Sequence, residues 1–91
     1  MKLALDKGLH DLQGELLPQP ARFYVFNSLN NANVQKTGEE KYKIGELIEK
    51  TIKADAETDF PIDEVKMMKD AVGEACAPTI VKQLWDILEG K

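Results

Sequence analysis

The chain has 91 residues, 43% hydrophobic and 31% charged, with a formal net charge of −4 at pH 7. That length and composition fit one small globular domain spanning 1–91 and argue against a disordered chain. A pI of about 4.9 makes non-specific attraction to nucleic acid or to an anionic membrane a poor first reading.

Residues 1–20 form the first unit. Leu3 and Leu5 alternate with Lys2, Ala4 and Asp6, a weak strand periodicity. Leu12-Gln13-Gly14-Glu15 reads as a turn, with Gly14 free to take positive φ. A short β-hairpin and an extended arm both fit this pattern. Six leucines between positions 3 and 17 are too many for a solvated tail. They cover either a helical core or a neighbouring subunit.

Pro18 and Pro20 punctuate the entry to the next element, and Pro20 suits the first turn of a helix. The run Phe23–Phe26 also fits a buried strand. Its continuation through Leu29 and Ala32, aligned with Val25, favours a helix over 21–32. Asn27, Asn30, Asn31 and Asn33 crowd its end, where asparagine suits a helix stop.

Thr37-Gly38-Glu39-Glu40 has the spacing of a capping box. Ile44, Leu47, Ile48 and Ile52 follow as one apolar face, so a helix is predicted over 38–53. Glu39/Lys43, Glu46/Lys50 and Glu49/Lys53 are i, i+4 pairs in the favourable order on its solvated face. After an acidic connector, Pro61 opens a third helix to about residue 75, with Ile62, Val65, Met68, Val72 and Ala75 as its inward stripe. Gly73 weakens its last turn, and Met67 and Met68 read as core filler. Pro78 opens a fourth helix over 78–89, with Ile80, Val81, Leu84, Trp85, Ile87 and Leu88 periodic and Gly90 past its end. The expected fold is mainly α: a short N-terminal β-hairpin or extended arm (1–20) followed by about four helices (21–91).

No apolar run approaches the length of a membrane span, and charge interrupts the first residues too early for a signal peptide, so a cytosolic chain is expected. Cys76 is the only cysteine and His10 the only histidine. No disulfide can form within the chain, and Cys76 reads as a small core residue. Asp55 to Lys66 imitates a calcium loop but has Phe60 where the turn needs glycine and Lys66 where calcium needs a carboxylate. Two helices joined by a short turn invite a DNA-reading motif. Yet residues 55–91 carry four basic and nine acidic side chains, whereas 1–36 sum to +1 and 37–54 to zero. Phosphate contact needs the opposite sign. Neighbouring carboxylates such as Asp63 and Glu64 diverge on a helix and make no acid–base pair. No catalytic, cofactor or metal residue is therefore assigned, and a non-enzymatic role is expected.

The broad apolar arc around Trp85 and the N-terminal leucines are where so small a core would meet a partner. Leu3, Leu5, Leu84, Trp85 and Leu88 are the interface candidates. The expected partner is a protein, with self-association into oligomers included. The competing reading is a small acidic regulator that inhibits a host enzyme or DNA-binding protein. It holds if the carboxylates after Asp55 share one exposed face.

The order of elements carries a resemblance. Leu9-His10-Asp11-Leu12-Gln13-Gly14-Glu15-Leu16, Leu29-Asn30-Asn31-Ala32, Glu39 to Leu47, the Asp59-Phe60 entry and Pro78 to Leu88 follow one another. This succession resembles small proteins of tailed bacteriophages and prophages. The resemblance implies a phage accessory or assembly role, in the host cytoplasm or on the virion.

Overall fold

The computed structural model describes residues 1–31 and 36–91. Two strands, β1 (Gly8–His10) and β2 (Leu16–Pro20), precede four helices: α1 (Ala21–Asn31), α2 (Gly38–Lys53), α3 (Ile62–Ala75) and α4 (Pro78–Leu88). The chain is mainly helical, and the N-terminal unit is a hairpin. Ala32 and Asn33, assigned above to the end of the first helix, lie outside the described residues.

The strands pair antiparallel, Gly8 with Pro20 and His10 with Leu16, with a bulge between. Asp11 builds the turn: its Oδ1 accepts from the amides of Gln13 and Glu15, both at 2.9 Å. Gly14 completes it at φ 82°, which a side chain would disfavour. Leu3 and Leu5 are not on a strand, although Lys2 makes one isolated antiparallel bridge with Asp59. Their segment instead turns back to cap α1. The amides of Ala21 and Arg22, which no helical carbonyl can reach, donate to Lys7 O at 2.9 Å and Leu5 O at 2.8 Å. Pro20 ends β2 rather than opening the helix; it has no N–H for the ladder to lose.

α1 is the central helix. It packs against α2 on one side and α3 on the other, and α3 packs against α4. Ala21, Val25, Ser28 and Leu29 are its buried residues; the small ones admit neighbouring helices. α2 begins at the expected capping box, with Glu40 N donating to Thr37 Oγ1 at 3.1 Å. Its buried face is Leu47 and Thr51, flanked by half-buried Ile44 and Ile48. Ile52, expected inside, is exposed. At about 3.6 residues per turn, position 51 returns to the line of 44, 47 and 48, and position 52 overshoots it. The Thr51 hydroxyl is satisfied in the core by Leu47 O at 2.8 Å.

α3 buries Val65, Met68, Ala71 and Val72. Ile62 is 80% exposed: it precedes the stripe and lies about 60° outside it. Ala75 is exposed at the helix end. Phe60 fills the position that Ile62 does not, fully buried, with Lys50 Nζ 4.7 Å from its ring centre. α4 starts with Pro78 and closes with Gly90 at φ 77°, the left-handed stop expected from the sequence.

Candidate interaction surfaces

The five interface candidates have different positions. Leu3, Leu5, Leu84 and Leu88 are core residues, at 4%, 2%, 0% and 0% exposure. The domain's own core takes up their apolar surface, and of the four only Leu88 also lines a surface groove. The N-terminal leucines face the helices of their own chain because residues 1–10 are tied down at both ends. Gln83 of α4 clasps His10, its Oε1 accepting from His10 N at 2.9 Å and its Nε2 donating to His10 O at 2.8 Å. At the other end, the Met1 amino group donates to Asp59 Oδ1 at 2.8 Å and Phe60 O at 2.7 Å.

Trp85 is the one candidate at the surface, 36% exposed. Its indole crosses α3: Nε1 donates to Lys69 O at 3.2 Å, and Lys69 Nζ sits 4.4 Å from the ring centre. Gly73 lies beneath the far edge, where an added Cβ would come 3.7 Å from the indole. Part of the tryptophan therefore joins α4 to α3. The rest opens onto a groove that also takes in Met1, Ile62, Val65 and Leu88. Ile62 at 80% and Met1 at 39% are the exposed apolar residues beside it. The rim carries both signs, with Lys66 and Lys69 against Asp70 and Glu89. Sequence periodicity missed Ile62 by assigning it to the core; a bulky residue at the very start of an apolar stripe is ambiguous between inside and outside.

A second concavity separates α2 from α3. Leu29 of α1 forms its floor, with Ile44 on one wall and Met67 and Ala71 on the other. Lys36, Glu40 and Lys43 rise on the α2 side, and Asp70 and Glu74 on the α3 side. At its far end Lys50 pairs with Glu64 at 2.7 Å across the two helices. That bond replaces the intrahelical Glu46 partner expected for Lys50.

Of the carboxylates after Asp55, Asp63, Asp70 and Glu74 are exposed and recur at i, i+7 and i+11 along one side of α3, while the others are held in pairs. Glu57 pairs with Lys2, Asp59 with the amino terminus, Glu64 with Lys50, Asp86 with Lys82, and Glu89 with both Lys69 and Lys91. The terminal amine holds the Asp59 carboxyl below its usual range, and the two lysines hold Glu89 down to about 2. Asp55 is lowered by hydrogen bonds within its own turn, from Glu57 N and Thr58 Oγ1. The acidity that motivated the acidic-regulator reading is thus neutralised in part by lysines and the terminal amine, and Asp63, Asp70 and Glu74 stay together on exposed α3.

No helix among the described residues is long and apolar enough to cross a membrane. Cys76 is half-buried with its Sγ 3.4 Å from Ser28 Oγ. Comparison with protein-family models, with curated proteins and with solved structures gives no match.

Proposed function

We propose that this protein works by binding other proteins, its own copies first, through the α3–α4 face around Trp85. The observation that carries this reading is the grouping of exposed Ile62, Met1 and Trp85 on one groove. Isolated exposed apolar residues are ordinary, whereas a contiguous group around a tryptophan has the make-up of an interface centre. The mixed rim of two lysines and two carboxylates suits self-pairing, because a two-fold contact sets each patch against itself and needs both signs. A role as an accessory or assembly subunit of a phage is supported by the resemblance in element order and is compatible with such a contact. The partner class is protein rather than nucleic acid, in keeping with the net charge of −4.

Size-exclusion chromatography with light scattering tests the proposal. The wild-type chain is expected to gain mass with concentration, and Ile62→Glu to stay monomeric with an unchanged helical circular dichroism spectrum. A wild-type chain that remains monomeric at high concentration overturns the self-association.

A further inference from the structure

We propose that the cleft between α2 and α3 receives a helical segment of a partner protein that is acidic along one edge and basic along the other. This inference stands apart from the Trp85 face and survives if that reading fails.

The cleft is an unfinished helix–helix contact. α1 packs closely on both α2 and α3, and its Leu29 forms the floor between them. Ile44 and Met67 stand on the walls only half-buried, so each keeps apolar surface that a third helix could cover. The volume is about 230 Å³, below the roughly 300–1,000 Å³ of small-molecule and cofactor sites. It suits a few inserted side chains, as in helix-in-groove recognition.

Charge defines the occupant further. Lys36, Lys43 and Lys50 recur every seven residues along the α2 side. The α3 side carries Glu64, Asp70 and Glu74. Lys50 and Glu64 already meet and shut one end. Lys36, just ahead of α2, lies 3.8 Å from Glu40 in its first turn, and the open stretch lies between Lys43 on one wall and Asp70 and Glu74 on the other. Within α2, Lys43 and Lys50 have the seven-residue spacing with which packed helices match their flanking charges. A partner helix lying here, apolar side down, sets one edge against lysines and the other against carboxylates. An edge pattern of a single sign would bring like charges together on one wall.

The test uses three labelled helical peptides with the same leucine stripe: one with a Glu edge and a Lys edge, one with Glu on both edges, one with Lys on both. Fluorescence anisotropy is expected to show the mixed peptide binding the wild-type chain about tenfold more tightly than either other. Amide and methyl NMR shifts are expected at Ile44 and Met67. Asp70→Lys/Glu74→Lys makes the α3 wall basic and is expected to shift preference to the all-Glu peptide. Lys36→Glu/Lys43→Glu is expected to shift it to the all-Lys peptide. Glu15→Lys/Glu49→Lys, the same charge change as the α3-wall pair but placed outside the cleft, should leave the ranking alone. All four α2- and α3-wall residues are exposed, and circular dichroism checks that each variant folds. The proposal is overturned if no peptide binds, if the three bind alike, or if the shifts map to the Trp85 face. It is also overturned, in favour of a second copy as occupant, if the wild-type chain self-associates and the Lys36→Glu/Lys43→Glu variant, which leaves the Trp85 rim unaltered, abolishes that. Peptide binding retained by Ile62→Glu separates this result from the fate of the Trp85 reading.

Discussion

Leu84 and Trp85 are adjacent on α4 and divide its face between them. Leu84 is fully buried, and Trp85 is 36% exposed over the α3 backbone. Leu84→Ala should therefore cost about 2–5 kcal/mol through the cavity it leaves. Trp85→Ala should cost about 1–3 kcal/mol, since about a third of the residue is already exposed at 36%. Urea unfolding of both variants checks the order, and a larger loss at Trp85 would contradict it. Gly45 offers the opposite change. It lies inside α2, and a Cβ there would meet nothing within 4 Å. Gly45→Ala should stabilise the protein by about 1 kcal/mol, read as a higher urea midpoint. Whether Ile62 or Phe60 enters the core was not legible from the pattern alone. Both flank Pro61, and only the path of the connector, pinned by Met1, decides which one turns inward.

Among the elements, α2 was the most legible, since a capping box and an apolar face agree on one helix. Its capping bonds are local: Glu40 N to Thr37 Oγ1 at 3.1 Å and Thr37 N to Glu40 Oε1 at 3.5 Å. Thr37→Ala should lower stability by about 1 kcal/mol, and Thr37→Asn, which restores a cap, should recover most of it in the same unfolding assay. The hairpin was only half legible. Gly14 marked the turn, but the strands are short, and what fixes them comes from α4 through Gln83, 73 residues away from His10. The surfaces were the least legible. Four of the five candidate residues satisfy the core, because a leucine seeking cover carries no mark of whose cover it finds. The α2–α3 cleft shows only in three dimensions, where separate charge patterns on two helices come to oppose each other.

For the whole molecule, seven of the sixteen acidic side chains are ion-paired among the described residues, Glu89 twice over. Glu89 bonds Lys69 at 2.6 Å and Lys91 at 2.9 Å, which lowers its carboxyl from 4.5 to about 2. A carboxyl lowered by folding contributes stability above its unfolded value, and that contribution is lost as pH falls through the folded one. The Glu89 contribution is thus present above about pH 4.5 and disappears between there and about pH 2. Asp59 and Asp55, also lowered, act in the same direction. Thermal melting should show Tm falling over this range, and Glu89→Gln should flatten part of that fall. An unchanged slope in the variant would remove Glu89 from the account.

The double tie of residues 1–10 bears on how the chain is made. Leu3, Leu5 and Leu9 are buried at 4%, 2% and 1%, and the ties that hold their segment come from Asp59, Phe60 and Gln83. During synthesis the first leucines leave the ribosome well before those residues exist. At about 5–20 residues per second they wait for several seconds with apolar surface uncovered. Closing such long loops also places the docking of residues 1–10 late relative to the local pairing of α3 with α4. Residues 1–10 therefore keep their apolar surface uncovered until α4 has been made.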